Sequence, residues 1–326
     1  MFLLKIVVFI TIAFAVDRLL TWSLQFVRPI DYELFVDSKR EFFNRRDSYD
    51  IIILGDSQIA DAVDPRVLSK KCGLSAFNLA IYGASPFANY YTLLAALKHL
   101  EQKPKAIMIG TTPETFKQPL LAGKYTPIIV QDWLVNWEMN LRSTKPFHVS
   151  NFFTTVRERY LFQSLMRKFS GAKYTPTREI HNVYNGYLES HNQIAGTDWN
   201  EYKDSTAFSN AKQCEFFEKT IQLAMQNSIQ VIIVHPPMWF NRLDAERETD
   251  QFKEFTLIID SLRRKYALPV FNDDFEVLRG EVEQKDFLNT VHMNYFGAQK
   301  FSARLSEWLN ENNSDLCTTK ANDVVE

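Results

Sequence analysis

The stretch SYDIIILGDSQIADAVDP, residues 48–65, contains an apolar, β-branched run that ends abruptly in a Gly-Asp-Ser turn. Such a run, bounded by turn residues, is typical of a strand buried on both faces of a parallel sheet. Gly55 permits a sharp turn after that strand. Ser57 has two interpretations. It could belong to the cap of a helix, or it could be a nucleophile at a helix N-terminus, where N–H groups favour negative charge. The tripeptide by itself favours the cap.

The same kind of apolar run recurs along the chain and alternates with helical patterns. A fully buried strand is predicted at residues 50–55, a second strand with its exit loop at residues 75–83, and further strands within residues 105–113, 229–237 and 268–273. Apolar residues at helical spacing predict helices at residues 89–102, 214–228, 251–267 and 294–313. This alternation predicts an α/β fold, with a parallel sheet covered by helices on both faces.

The folded α/β domain is predicted to span residues 48–313. The aromatic segment 114–213 breaks the alternation and predicts a helical insertion over the strand ends, with a second small domain as the alternative. Residues 28–47 are polar and mixed in charge, which indicates a connector. Residues 314–326 are predicted to form a disordered tail.

Residues 1–27 consist of two apolar stretches, MFLLKIVVFITIAFAV and LLTWSLQFV, separated by Asp17 and Arg18. They predict a membrane anchor, and a cleaved signal peptide or a buried first helix are the alternatives. With Lys5 on the cytoplasmic side, anchor and signal both send the rest of the chain outward. The sequence therefore predicts an extracytoplasmic protein, periplasmic or on the outer face of a bacterial inner membrane.

The composition argues against several classes of function. The net charge of −2 offers no basic excess for a phosphate backbone, so nucleic-acid binding is not expected. Cys72, Cys214 and Cys317 are widely spaced; buried or free thiols are the favoured interpretation, and one bridge is possible in an exported chain. No phosphate loop, zinc spacing or calcium loop is present in the sequence, so no cofactor and no metal are expected.

Polar or flexible residues follow several of the predicted strands. Gly83 follows the second and Thr112 the third, while His292 lies in a loop just before the last helix. Ligands bind beyond the carboxyl ends of parallel strands, so Gly83 and Thr112 are expected near Ser57. His292 could then act as general base on the serine. His235, in the motif VHPP, is interpreted instead as part of a structural turn leaving the fourth strand.

Together these motifs resemble the GDSL/SGNH hydrolase superfamily, and within it the membrane-anchored bacterial branch with DltD-like and alginate-O-acetylation-like proteins. The likeness covers residues 48–113 and 229–309. The motifs that carry it are Gly55-Asp56-Ser57, Gly83, and His292-Met293-Asn294 followed by Gly297.

The resemblance implies a flavodoxin-like three-layer sandwich and a Ser-His-Asp site that hydrolyses or transfers acyl groups. It implies Ser57 as nucleophile and His292 as base. The N–H groups of Ser57 and Gly83 would stabilise the oxyanion, and Thr112 stands where the family often has an oxyanion Asn.

The third member of the site departs from the family pattern, which has Asp three residues before the histidine. This chain has Asn289 there, and an amide cannot stabilise an imidazolium by charge. Asp286 is a candidate if the loop bends. A Ser-His dyad and a descendant that only binds are the other possibilities.

The expected activity is acyl-ester chemistry, as an O-acyltransferase or an esterase, on a cell-envelope or exported glycan through a Ser57 acyl-enzyme. The expected partners are an acylated glycan or acyl donor, and a membrane-bound O-acyltransferase that exports acyl groups. The alternative is a noncatalytic envelope protein that binds a glycan or such a membrane partner.

Overall fold

The computed structural model describes residues 2–24, 30–45, 47–121, 123, 125–130, 132–144, 180–194, 197–199 and 210–317. Its α-helices are α1 (Phe2–Leu24), α2 (Ile30–Asn44), α3 (Ser57–Ala62), α4 (Pro65–Cys72), α5 (Pro86–His99), α6 (Thr126–Ile129), α7 (Trp133–Arg142), α8 (Ala211–Gln226), α9 (Phe240–Arg247), α10 (Asp250–Tyr266) and α11 (Tyr295–Asn312). Its strands are β1 (Ile51–Leu54), β2 (Ala76–Asn78), β3 (Ala106–Gly110), β4 (Ile180–Tyr184), β5 (Tyr187–Ser190), β6 (Gln230–Val234), β7 (Val270–Phe271), β8 (Phe287–Asn289) and β9 (His292–Met293). Short 3-10 helices span Pro113–Lys117 and Gln284–Asp286.

The central sheet has five parallel strands in the order β2-β1-β3-β6-β7. Counting only these strands, this is the 2-1-3-4-5 order of flavodoxin-like folds. β1 lies inside the sheet, with Ile53 opposite Asn78 on one side and Met108 on the other. The first strand of the domain therefore delivers its C-terminal end to the middle of one sheet edge, beside the ends of β2 and β3.

Alternating residues of β1 supply two separate cores. Ile52 and Leu54 pack with the side chains of α2, α5, α8 and α10 on one face of the sheet. Ile51 and Ile53 pack with those of α3, α4 and α11 on the other face. Successive strand side chains point to opposite faces, so an uninterrupted apolar run is what a sheet buried on both sides requires. The predicted α/β three-layer sandwich is confirmed.

Helix α2 lies in the segment predicted as a connector, and it belongs to the folded domain. Phe35, Val36, Phe42 and Phe43 are buried in the core. The expectation of a polar connector is wrong for this helix, because its described charged residues other than Lys39 lie on the outer side of an amphipathic helix that covers the sheet.

The described parts of segment 114–213 include helices α6 and α7, but also a β-hairpin formed by β4 and β5. Asn185 and Gly186 make its tight turn with φ of 43° and 79°, as two-residue hairpins favour. The Asn78 N–H donates to the Asn185 carbonyl at 2.8 Å, so the turn covers the open edge of β2. Residues 145–179 of the predicted insertion lie outside the described residues.

Helix α1 carries many exposed apolar side chains, among them Phe2, Phe9 and Leu19. None of the helices in the described ranges is both long and apolar enough to span a membrane. At the other end of the chain, Leu316 and Cys317 are buried. The start of the predicted disordered tail is therefore packed, and residues 318–326 lie outside the described part.

Candidate active site

Ser57 is the first residue of α3, at a sharp turn after β1. Gly55 has φ of +148°, and a Cβ there would lie 2.2 Å from Cγ2 of Ile59 and 3.3 Å from Cα of Gly110. Only glycine allows this backbone and this close approach. The Asp56 carboxylate caps the helix by accepting from the Gln58 N–H at 2.9 Å. The residue that caps this helix is therefore Asp56 and not Ser57, which leaves the serine hydroxyl for another partner.

The hydroxyl of Ser57 meets the imidazole of His292. Ser57 Oγ lies 2.8 Å from His292 Nε2, and His292 Nδ1 lies 2.9 Å from Oδ1 of Asn289. The serine comes from the end of β1, while the other two residues belong to the hairpin of β8 and β9. Folding thus joins residues that are more than 230 positions apart in the chain.

The hydrogen bonds of Asn289 determine which nitrogen of His292 carries the proton. Asn289 Oδ1 accepts from the N–H groups of Val291 and His292, both at 3.0 Å. Two backbone donors require an oxygen at that position, which fixes the orientation of the amide. The same oxygen therefore accepts from Nδ1–H of His292. In the neutral ring Nε2 then carries the lone pair and can accept the proton of Ser57.

The carboxylate of Asp286, the other candidate for the third member of the site, does not contact the imidazole of His292. Its carboxylate accepts from the Glu283 N–H and from Lys300 Nζ, both at 2.8 Å, and its side chain is almost fully buried. It closes the capping box of the 3-10 helix before β8. The structure thus places Asn289, and not Asp286, against the imidazole.

The start of α11 holds the hairpin of β8 and β9, which carries His292, in place. Asn294 caps this helix through Oδ1, and its N–H donates to the Asp286 carbonyl at 3.1 Å. A Cβ on Gly297 would lie 2.2 Å from that same carbonyl oxygen. The glycine therefore permits the close packing of α11 that holds the hairpin beside α3.

Two backbone N–H groups at this edge are available to an oxyanion. Those of Ser57 and Gly83 have no hydrogen-bond partner within the described portion of the chain. Gly83 has φ of +71°, and a Cβ there would meet nothing within 4 Å, so it faces open space. Its turn is tied to the nucleophile turn, because the Ile81 N–H donates to the Gly55 carbonyl at 3.0 Å.

Thr112 is engaged in a helix cap. Its N–H donates to Thr115 Oγ1 at 2.9 Å, and the two hydroxyl oxygens are 3.3 Å apart. The neighbouring Thr111 hydroxyl is buried and has no hydrogen-bond partner in the ranges that the structure describes. Two threonines therefore lie at the end of the third strand. The N–H and the hydroxyl of Thr112 are both engaged in the cap of the following 3-10 helix.

Two other polar groups at the strand ends have shifted pKa values. Burial raises the pKa of Asp56 to about 6, assisted by the charge of Asp61 and opposed by the N–H groups that it caps. Burial lowers the pKa of His235 to about 4, although this ring donates from Nδ1 to the Thr111 carbonyl at 2.9 Å. His235 also stacks on Phe275 with ring centroids 4.7 Å apart. It is neutral near pH 7 and supports packing, as expected for an exit turn.

Sequence reasoning missed a buried lysine behind the site. Lys39 of α2 is fully buried and donates from Nζ to the Asn78 carbonyl at 2.6 Å. The Asn78 amide in turn donates to the carbonyls of Ala60 and Val63, at the end of the short helix that begins with Ser57. Burial lowers the pKa of Lys39 to about 7. No sequence motif marks Lys39, but a polar residue within a buried strand, Asn78, was a visible signal.

A second missed group joins the hairpin of β4 and β5 to the site. Arg66 bridges Asp64 and Glu189 with contacts of 2.7 Å to each, and Glu189 also contacts His191. The ring of His191 stacks on Tyr295, three residues after the site histidine, with centroids 4.8 Å apart. The described end of the insertion therefore borders the histidine hairpin.

Within the described residues, no group of three or more His, Cys, Asp or Glu side chains is arranged to hold a metal ion.

Comparison with known proteins gives a distant likeness in structure alone. No family model matches the chain, and no curated protein matches it. A lipase/acylhydrolase from Enterococcus faecalis is similar with a TM-score of 0.39 and 12% identity, over 80% of this chain and 95% of that chain. A mutant of the esterase AlinE4 is similar with a TM-score of 0.35 and 11% identity, over 82% and 98%. Likeness at this level carries no inference about function, which has to come from the geometry of the site.

Proposed function

We propose that this protein is a serine-dependent acyl-ester enzyme with Ser57 as nucleophile and His292 as general base. One observation carries the proposal: the 2.8 Å contact between Ser57 Oγ and a His292 Nε2 whose lone pair faces the hydroxyl. A nucleophile within hydrogen-bond reach of a base, itself oriented by a third group, is the arrangement that nucleophilic catalysis requires.

The reaction would run in two halves. In the first, Ser57 Oγ attacks the acyl carbon while its proton passes to His292 Nε2. The N–H groups of Ser57 and Gly83 then stabilise the oxyanion. The imidazolium protonates the departing alcohol, which leaves an ester of Ser57. In the second half, His292 takes a proton from water or from an acceptor hydroxyl, and that oxygen attacks the ester and frees the serine.

Asn289 gives this mechanism a specific weakness. The amide holds the ring orientation and the tautomer, as an Asp would, but it has no charge to stabilise the imidazolium. We expect a working enzyme that is slower than one with a carboxylate at this position. The same weakness favours a second candidate, an envelope protein that binds an acylated glycan without turning it over.

The finer function follows from the family resemblance in the sequence. We propose acyl transfer to, or removal from, a cell-envelope or exported glycan, beside a membrane-bound O-acyltransferase. We also propose attachment to the membrane through α1, with the rest of the chain outside the cytoplasm. The apolar side chains of α1 support this attachment: Phe2 and Phe9 are 78% and 73% exposed, and water penalises such surface. Flotation with liposomes, comparing the full chain with one lacking residues 1–27, tests the attachment.

A fluorophosphonate that phosphonylates activated serines tests the catalytic proposal. We expect wild-type protein to be labelled and Ser57→Ala to be unlabelled, with His292→Ala labelled far more slowly. Ser69→Ala, which changes an exposed serine on α4, is the matched control and should be labelled like wild type. Absence of labelling in wild type, with the fold intact by circular dichroism, would favour the binding protein instead.

Product analysis then separates hydrolysis from transfer. Purified protein is incubated with a p-nitrophenyl ester, with and without an acceptor glycan, and the products are identified by mass spectrometry. Acylated glycan that depends on Ser57 supports transfer. Free acid at the same rate with and without glycan supports hydrolysis alone.

A further inference from the structure

Two of the three cysteines meet in the core between α4 and the segment after α11. Cys72 is the last residue of α4 and Cys317 follows α11. Their side chains are 3% and 8% exposed and belong to the same apolar cluster. Cys72 and Cys317 are close enough for their thiols to interact, and the Cys72 thiol donates to the Ser306 carbonyl of α11 at 3.4 Å.

Specific turns bring the two thiols together. Gly73, with φ of 67°, ends α4 directly after Cys72. Beyond α11, the Leu316 N–H donates to the Asn313 carbonyl at 2.9 Å, which turns the chain back toward α4. Asn313 is itself held at the start of β6 by Gln230 at 2.7 Å. Both cysteines are thus placed by ordered backbone, at opposite ends of the domain sequence.

We propose that Cys72 and Cys317 form a disulfide that ties the C-terminal segment to α4. The oxidant is a small-molecule or protein disulfide. The Cys317 thiolate attacks one sulfur of that disulfide, forms a mixed disulfide and releases the first thiol. The Cys72 thiolate then attacks the Cys317 sulfur, closes the bond within the protein and releases the second thiol. Two electrons pass to the external disulfide, and the two protons that the cysteines release are matched by the two that the departing thiolates take up.

The bond forms before the C-terminal segment docks. Burial raises the pKa of the Cys317 thiol to about 12, and the neighbouring Cys72 assists. The thiolate is the nucleophile in disulfide exchange, so a thiol that stays protonated reacts slowly. In the docked state the pair is therefore slow to react. Opening of residues 313–317 exposes both sulfurs, and reclosure then protects the finished bond. A stable disulfide also fits the extracytoplasmic location proposed above, because oxidising compartments preserve such bonds.

Cys214 provides an internal control. It lies on α8, and burial raises the pKa of its thiol to about 11, with the charge of Glu254 assisting. Neither of the other cysteines is among the groups that shift it. The proposal therefore predicts one reduced and two oxidised cysteines.

Intact mass after thiol blocking tests the pairing. The full chain is equilibrated with oxidised and reduced glutathione, denatured in acid, and alkylated with N-ethylmaleimide before or after reduction. We expect one adduct before reduction and three after it, with a crosslinked peptide pair containing Cys72 and Cys317. Three adducts before reduction, or a bond that involves Cys214, would overturn the proposal.

Variants supply a second measurement. Cys214→Ser should keep the crosslink, and its thermal midpoint should fall by roughly 5 °C or more when reductant is added. Cys72→Ser and Cys317→Ser should show no crosslink, and reductant should leave their midpoints unchanged. A midpoint of Cys214→Ser that does not respond to reductant would contradict the proposal. The blocking experiment on wild type stands whether or not either serine variant folds.

Discussion

Replacing Asn289 by Asp tests the proposed mechanism more directly than any deletion. The two side chains have the same shape, and Oδ1 would keep its three donors, the N–H groups of Val291 and His292 and the Nδ1–H of His292. The Asn289 Nδ2 group makes no hydrogen bond with any part of the chain that the structure describes. The substitution therefore adds one negative charge beside the imidazole and breaks no hydrogen bond.

The size of the effect follows from the geometry. Asn289 Oδ1 lies 2.9 Å from His292 Nδ1, and both residues are half-buried. At an effective dielectric constant of about 20, unit charges roughly 4 Å apart attract by about 4 kcal/mol. Partial exposure reduces this, and a carboxylate so placed usually shifts a neighbouring pKa by about 1 to 3 units. One unit corresponds to about 1.4 kcal/mol, or tenfold in rate if the imidazolium forms in the transition state.

We therefore expect Asn289→Asp to raise kcat/KM by roughly 10- to 1000-fold, below the factor of about 10⁴ that the reverse change costs a serine protease. The base must be neutral to act, and the new carboxylate favours its protonated form. The rising limb of the pH–rate profile should therefore move to higher pH by about 1 to 3 units.

The assay is hydrolysis of p-nitrophenyl acetate between about pH 5 and 9, the range in which a histidine titrates. Asn310→Asp is the matched control, because it adds the same charge at an exposed position of α11. Ser57→Ala combined with Asn289→Asp sets the background. If the folded Asn289→Asp variant is no faster than wild type and its profile does not move, Asn289 does not govern the imidazole and the mechanism is refuted.

Three further substitutions probe the support of the site. Gly55→Ala should cost about 3 kcal/mol of unfolding free energy in urea titrations and abolish labelling of the serine, since its Cβ would lie 2.2 Å from a side-chain carbon; a stable, fully labelled variant would contradict this. Lys39 should make stability rise with pH by about 1.4 kcal/mol per unit between about pH 7 and the ordinary lysine pKa of 10.5, because the unfolded chain still binds a proton there that the buried amine has lost. Lys39→Met should remove that slope, and equal slopes in the two proteins would show that Lys39 is not the source. Asp286→Asn should lower stability by about 1 to 3 kcal/mol, because it removes the negative charge that pairs with Lys300, while labelling continues; loss of labelling in a folded variant would show that Asp286 takes part in the site.

Much of the fold was predictable because local pattern and burial agree. The apolar runs that predicted strands became the five parallel strands, and the amphipathic segments became helices on their two faces. The sequence also indicated that Ser57 and His292 follow strand ends or precede helices. Parallel strands share one carboxyl edge, which accounts for the position of Ser57. His292 reaches that edge through the antiparallel hairpin of β8 and β9.

Other features were missed for identifiable reasons. The prediction of a connector fails at α2 because charged residues are interspersed in sequence with the apolar face that contains Phe35 and Phe42. The prediction of a helical insertion omits the hairpin of β4 and β5, although Asn185-Gly186 is a strong turn signal. In both segments, burial comes from contacts with distant parts of the chain, and a local sequence pattern does not include those contacts.

By itself, the sequence determined the α/β class and the turn at Gly55, because both depend on short-range backbone rules and on the pattern of buried strands. It also predicted the pair of Ser57 and His292, from the order of the motifs along the chain. Only the tertiary structure decided which residue orients the histidine. Asn289 and Asp286 stand three positions apart, and the β8–β9 hairpin directs one to the imidazole and the other to Lys300. The contact of Cys72 with Cys317 likewise required the packing of α11 on α4. Spacing along a chain limits which side chains can meet, but the path of the folded backbone selects among them.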